Sequence, residues 1–288
     1  MDIDTNCEIV VRTQFAHNLL LQRESSLNDY NLSINLLNDT KAEKDFVSSS
    51  KIFFNKTGIG LYEVLEGSTI NIYPNKYINA NTLLYYALQI PFGCACAQNK
   101  KLVFHASVAE KCGKCFAFLG DPGAGKSSLL LKLIESGWNF IAEDICVVDD
   151  NYNLNFIASS PYIKLSDKVA KAHLDQLIST DIKTDKLGRK TYQMDASYLS
   201  IGGALESIFF LDWSQEINLY EPAESTKLRL LLNYLVPSFQ SKANDIHISS
   251  YENVLKLIDS VPVLILERPK SLANEDIQMT INKINSLA

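Results

Sequence analysis

Residues 116–128 read Phe116-Ala-Phe-Leu-Gly120-Asp-Pro-Gly-Ala-Gly-Lys-Ser-Ser128, an apolar run followed by G-x-x-x-x-G-K-S. At ordinary residue usage this pattern arises by chance in about one chain in a hundred of this size. Its surroundings also fit, with a short strand expected before it and a helix after it. Glycines let the backbone turn tightly, so that successive N–H groups face a phosphate. The following helix adds the partial positive charge of its N-terminus. Gly120, Asp121, Pro122, Gly123, Ala124, Gly125, Lys126, Ser127 and Ser128 are therefore the expected cradle for a nucleotide triphosphate. In such a motif the lysine reaches the β- and γ-phosphates and the first serine hydroxyl ligates Mg²⁺.

A strand, a nucleotide loop and a helix need an acidic partner downstream. Two candidates stand out. Glu143-Asp144 interrupts the apolar stretch Phe140–Val148, where unpaired carboxylates are costly unless a metal or a strand end relieves them. Asp212 closes the run Ser207-Ile-Phe-Phe-Leu-Asp212, an apolar strand ending in an acid. The spacing favours the Glu143-Asp144 pair. His105, in Leu102–Val108, is expected on a strand face with Val103 and Ser107.

Outward from this centre the chain reads as mixed α/β. Residues 8–13 and 51–73 are rich in short apolar or β-branched runs, which predicts a small N-terminal β-rich domain over 1–78. Residues 79–98 carry a helical stripe that Asn79 or Asn81 could cap. Strands are expected at 102–110, 115–119, 139–148, 206–211 and 261–266. Helices are expected at 127–135, 225–235, 251–258 and 272–284. Residues 166–200 show no clear period. The second domain is then 79–288.

The chain has 288 residues, 47% of them hydrophobic, with a net charge of -6 and a pI near 5.3. That balance argues against a broad nucleic-acid-binding face. No apolar run reaches the length of a membrane span. The first residues lack a signal peptide's basic and apolar regions, which predicts a cytoplasmic protein. Six cysteines are too few to staple a chain this long. Cys94, Cys96, Cys112 and Cys115 have spacings that would suit a four-sulfur zinc site, but Cys112–Cys115 reads better as a hairpin turn. The cluster Lys183, Lys186, Arg189 and Lys190 is read either as a phosphate or acidic-peptide clamp or as a solvated loop.

Together, His105-Ala-Ser107, the Gly120–Ser127 loop, Ser136-Gly137 and Ala142-Glu143-Asp144 resemble the HPr kinase/phosphorylase family. The resemblance extends to its wider set of serine kinases, including those encoded beside lasso-peptide genes. It is strong over about fifty residues and weaker over Leu83–Gln98 and Val263–Asn285. It implies a P-loop kinase core of the kind shared with phosphoenolpyruvate carboxykinase, using ATP and Mg²⁺. It implies Glu143 as the catalytic carboxylate that meets a serine hydroxyl and Asp144, with Ser127, on the metal. Lys126 would contact the β/γ-phosphates, and His105 would lie near the moving phosphoryl group. The family usually has Asp-Asp at 143–144 and Ser at 122, and its downstream Arg/Gly-rich signature is missing here. HPr is therefore not the expected acceptor. A peptide or another protein is, such as the precursor of a ribosomal peptide natural product. The competing expectations are a regulatory nucleotide-binding ATPase module with Asp212 on the metal, or a small-molecule kinase. A homo-oligomer stays open.

Overall fold

Alternation along the run before the loop decides where the core lies. Cys115, Ala117 and Leu119 face one side of a strand and Phe116 and Phe118 the other, and all five are buried. The strand is thus covered on both faces, as a central strand of an α/β layer must be. The computed structural model describes residues 8–10, 32–37, 46–47, 51–148, 156–157, 160–200, 202–236, 244–270 and 274–287. The expected strand positions 11–13, Cys7 and residues 272–273 lie outside them.

In chain order the strands begin with β1 (Glu8–Val10), β2 (Ser33–Leu36), β3 (Phe46–Val47), β4 (Lys51–Lys56), β5 (Gly60–Leu65) and β6 (Thr69–Pro74). They form a six-stranded sheet ordered β1-β2-β6-β5-β4-β3. Two helices follow, α1 (Ala80–Ala87) and α2 (Ile90–Gln98). Asn79 caps α1 by accepting from the Thr82 N–H at 2.7 Å. The break falls at Leu88–Gln89, and Pro91 sits in the first turn of α2, where its missing N–H costs nothing. Both helices pack on the first sheet, with Leu83, Tyr85 and Cys94 sharing one core with Ile52, Tyr62 and Ile70.

Next come β7 (Leu102–Phe104), β8 (Ser107–Lys111), β9 (Lys114–Leu119), α3 (Lys126–Glu135), β10 (Asn139–Ala142) and β11 (Cys146–Val148). The middle of the chain adds β12 (Phe156–Ile157), β13 (Tyr162–Leu165), α4 (Asp167–Ala170), β14 (Leu177–Ser179) and β15 (Lys190–Met194). It closes with β16 (Ala204–Trp213), β17 (Asn218–Tyr220), α5 (Glu224–Tyr234), α6 (Asn244–Ser260), β18 (Val263–Arg268) and α7 (Asn274–Asn285). A mixed six-stranded sheet runs β10-β8-β9-β16-β18-β17, with β9, β16 and β18 parallel. Its Phe116, Phe118 and Phe209 face α3 and α7, while Ile208, Phe210 and Val263 face α5 and α6. Phe118 and Phe209 stack with centroids 5.3 Å apart. Each such ring contributes roughly 1.5–3 kcal/mol by leaving water.

Two strands expected to be continuous are broken. Residues 102–110 split at His105–Ala106, and 139–148 split at Glu143–Ile145. At the first break the chain passes from the small sheet β12-β11-β7 into the six-stranded sheet, and at the second it passes back. His105 therefore lies in a break rather than on a strand face, and the Glu143-Asp144 pair is spared a place inside a buried ladder. The stretch that showed no period contains β14 and β15; β15 pairs with both β13 and β14 in a fourth sheet ordered β13-β15-β14. Among the described residues, no helix is long and apolar enough to cross a membrane.

Candidate active site around the Gly120–Ser127 loop

β9 ends at Leu119 and the chain turns at once into the glycine loop. Gly125, at φ +79°, precedes the first residue of α3, and Leu129 donates to its carbonyl at 2.9 Å. A Cβ on Gly125 would lie 2.7 Å from Arg268 Nη2 and 3.0 Å from the Trp213 ring, so only glycine fits. At Gly123, which is exposed, a Cβ would meet nothing within 4 Å among the described residues, so the loop is open there. Lys126 Nζ folds back onto the Gly120 carbonyl. Among the described residues it makes no ion pair, and burial pulls its pKa below the ordinary lysine value despite Glu143 and Asp144.

β10 lies parallel to β9 across β8, so its carboxyl end comes out on the same edge of the sheet. That edge is where open α/β sheets bind ligands. There Ser127 Oγ donates to the Glu143 carboxylate, joining the first turn of α3 to the break after β10. Glu143 is 5% exposed. Burial pushes its carboxyl up, to about 8; the Asp144 charge pushes the same way and the Ser127 bond pulls back.

Asp144 is at φ +70°, and the Ile145 N–H bonds the Glu143 carbonyl at 3.0 Å across it. A non-glycine residue in a three-residue turn of that hand stores strain, as functional sites often do. Lys164, on β13, holds the Asp144 carboxylate at 2.7 Å. Burial alone would raise the Asp144 pKa, but Lys164 and then His105 outweigh it and keep the group below the usual carboxylate range. His105 Nδ1 lies 2.7 Å from the Asp144 carbonyl oxygen and 3.9 Å from its Oδ1. The two strand breaks thus meet side by side, with an imidazole, two carboxylates and a buried lysine at the mouth of the loop.

The other expected residues fall elsewhere. Asp212, exposed at the end of β16, accepts from the Trp213 N–H at 2.7 Å and lies on the opposite flank of the loop, beside Gly120–Ala124. The basic cluster closes on itself in part: Asp185 accepts from Arg189 at 2.8 Å, Lys190 pairs with Asp167 at 3.1 Å and Lys183 donates to the Gly58 carbonyl at 3.2 Å. The Arg189 charge nevertheless acts on both Glu143 and Asp144. The cysteines disperse: Cys94 and Cys96 belong to the first core, Cys115 to the second, and Cys112 is exposed in a turn. Among the described residues no cluster of three or more His, Cys, Asp or Glu side chains forms a metal site, so the four-sulfur reading has no geometry. Burial pushes the Cys94, Cys96 and Cys115 thiols up to about 12.

Sequence reasoning missed Lys164, Arg268 and Tyr234. Arg268 ends β18, donates to the Ala124 carbonyl at 2.7 Å and lies over the Trp213 ring at 4.3 Å. Burial pushes its guanidinium down to about 10. Tyr234 ends α5 and donates from its hydroxyl to Asp121 Oδ1 at 2.7 Å, while its carbonyl accepts from the His105 N–H at 3.0 Å. None of the three sits in a motif; each is brought in by a neighbouring strand or helix.

No protein-family model matches the chain, and no curated protein does. Among solved structures it is similar to the Hpr(Ser) kinase/phosphatase from Coxiella burnetii, at 10% identity and a TM-score of 0.35, over 64% of this chain and 88% of that one. Similarity of that size leaves the function to be argued from the site itself.

Proposed function

We propose that the chain is an ATP-dependent kinase that moves the γ-phosphoryl group onto a serine hydroxyl of a peptide or protein. One observation carries this reading: the Ser127 hydroxyl and the Glu143 carboxylate meet at the N-terminus of α3. That is the place where a loop-bound triphosphate and its cation need a hydroxyl and an acid. The residues fit the missing groups. Gly123 leaves open space on the loop, Lys126 has no carboxylate partner among the described residues, and a hydroxyl and two carboxylates stand near the loop. Mg²⁺, held by Ser127 and Asp144, would supply neutralisation of the phosphate charge.

The protein's own groups do the rest by position and charge. Lys126 swings from the Gly120 carbonyl to the β/γ-phosphates. Glu143 orients the acceptor hydroxyl and takes its proton; among the described residues Ser127 is its carboxylate's hydrogen-bond partner, and burial keeps its affinity for a proton high near neutral pH. Asp144, pinned by Lys164, keeps its negative charge for the cation side. As the serine Oγ–phosphorus bond forms, the bond from the γ-phosphorus to its bridging oxygen breaks and ADP leaves. Lys126 and His105 offset the charge that shifts.

A macromolecular acceptor is supported by the first sheet. Its β4–β5 hairpin reaches the site's border, where Gly58 bonds Lys183 and Lys56 lies 4.6 Å from the Tyr86 ring centroid. The test is transfer of label from γ-labelled Mg·ATP to a library of serine-containing peptides and proteins. Label should appear on serine with the wild type and vanish in Lys126→Ala and Glu143→Gln. Mg·ATP binding with hydrolysis but no transfer to any hydroxyl would defeat the kinase reading in favour of a nucleotide-binding module.

A further inference from the structure

The loop has a second flank, and it is hollow. A cavity of about 460 Å³ lies against Gly120–Ala124, on the side away from Glu143. Its size falls within the range of small-molecule pockets, roughly 300–1,000 Å³. Its walls come from three elements whose ends gather at the same sheet edge: Phe210, Asp212 and Trp213 from β16, Tyr234 from α5, and Ile265 and Lys270 from β18 and the residues beyond it. Three aromatic rings, the aliphatic Leu211, Leu230 and Ile265, two acids, Asp121 and Asp212, and one base, Lys270, form a lining suited to a flat, partly polar ligand.

The walls are tied to the loop. Tyr234 bonds Asp121, and its ring lies 5.6 Å from Phe210. Arg268 clamps the Ala124 carbonyl and covers one side of Trp213, which holds the indole at the cavity's edge. Among the described residues the buried Arg268 Nε has no partner, so the guanidinium beside the loop has a donor to spare. A phosphate chain seated in the loop would therefore have a preformed aromatic chamber next to it.

We propose that this cavity seats the nucleoside of the phosphoryl donor, with a purine base packed among Phe210, Trp213 and Tyr234. The Asp212 carboxylate, exposed at the rim, accepts from the exocyclic amino group of the base. This assignment rests on the reading of the loop as a nucleotide cradle and adds where the base goes and which residues choose it. It also gives Asp212 a role other than metal ligation.

The experiment uses the full chain and three probes with Mg²⁺: ATP, ITP, which carries a carbonyl oxygen where adenine carries its amino group, and inorganic tripolyphosphate. Trp138 and Trp213 are the chain's two tryptophans, and Trp138 is 1% exposed under α3, so a ligand-induced change in indole emission reports on Trp213. ATP should change the emission, and tripolyphosphate should change it little. In calorimetry Trp213→Ala should weaken ATP by about tenfold or more, the scale of one base–aromatic contact, and tripolyphosphate by less than twofold. Asp212→Asn, exposed and isosteric, guards against a folding defect in the tryptophan variant; it should narrow the preference for ATP over ITP and leave tripolyphosphate unchanged. Equal weakening of ATP and tripolyphosphate in Trp213→Ala would overturn the assignment, as would an unchanged ATP affinity in both variants. In either case binding that still depends on Lys126 would leave the nucleotide loop standing. Failure of wild-type protein to bind any of the three would remove both.

Discussion

Lys164 and Asp144 form an ion pair of 2.7 Å that locks β13 onto the break after β10. The two side chains are only 14% and 23% exposed. The lysine is what allows a second acid to stay charged beside buried Glu143. Removing one partner of a buried pair costs about 3–5 kcal/mol, most of it the charge left behind. With water still reaching Asp144, Lys164→Met should fall at the low end, about 3 kcal/mol by denaturant unfolding. Lys164→Met combined with Asp144→Asn should recover a good part of that loss, since neither charge is then stranded. A double variant as unstable as the sum of the two single ones would show that the pair is not coupled.

Gly125 and Arg268 make a second linked pair. The glycine is left-handed at φ +79°, and a Cβ there would press on Arg268 Nη2 at 2.7 Å. Gly125→Ala should cost about 1–2 kcal/mol for the backbone alone, a drop in Tm on the order of 2–6 °C. It should cost nucleotide affinity as well, because displacing Arg268 frees the Ala124 carbonyl. An alanine variant that binds Mg·ATP as tightly as wild type would show that the loop's outer face plays no part in binding.

Local chemistry was readable from the chain; long-range assembly was not. The Gly120–Ser127 loop, the helix after it and the Glu143-Asp144 pair each lie within a short window of type and spacing, so they could be found directly. Trp213 was passed over because an indole after an acidic strand end means nothing until Arg268, fifty-five positions on, folds over it. Lys164 was invisible for the same reason: its partner is twenty residues away, in the break between β10 and β11. The breaks at His105 and Glu143 were misread as continuous strands because both sides are apolar. Alternation cannot show that a chain is changing sheets when each sheet is buried. The small β13-β15-β14 sheet was missed because β14 and the start of β15 are largely exposed and give no apolar period.

Ser127 and Glu143 can be separated experimentally. Ser127→Ala removes a hydroxyl that touches the carboxylate and would touch the cation. It should abolish the gain in ADP affinity that Mg²⁺ brings while leaving metal-free binding within about threefold of wild type, a difference below about 1 kcal/mol. Glu143→Gln should keep the Mg²⁺-dependent gain and lose transfer. Calorimetry with and without Mg²⁺, beside the labelled-phosphate assay, reads both. Loss of metal-dependent affinity in Glu143→Gln with transfer intact would reverse the two roles.

His173 gives the fold a weakness toward acid that is independent of the site. It is buried just after α4, with Nδ1 2.7 Å from Glu135 Oε1 at the end of α3, while Lys132 bonds the other oxygen of Glu135 at 2.8 Å. Burial lowers the His173 pKa below 6.5; Glu135 pulls it up and Lys132 pushes it down, and the net direction is down. The folded chain thus takes this proton less readily than the unfolded chain. The stability is whole above the unfolded value of 6.5 and is lost as pH falls through the folded one. The slope can reach about 1.4 kcal/mol per pH unit for one proton. The raised Glu143 carboxyl affects both proteins alike, so the His173 contribution is read from their difference: the Tm advantage of wild type over His173→Gln should be constant from pH 8 to 6.5 and shrink below it. Parallel slopes in the two proteins would show that the imidazole stays neutral throughout and that acid acts on other groups.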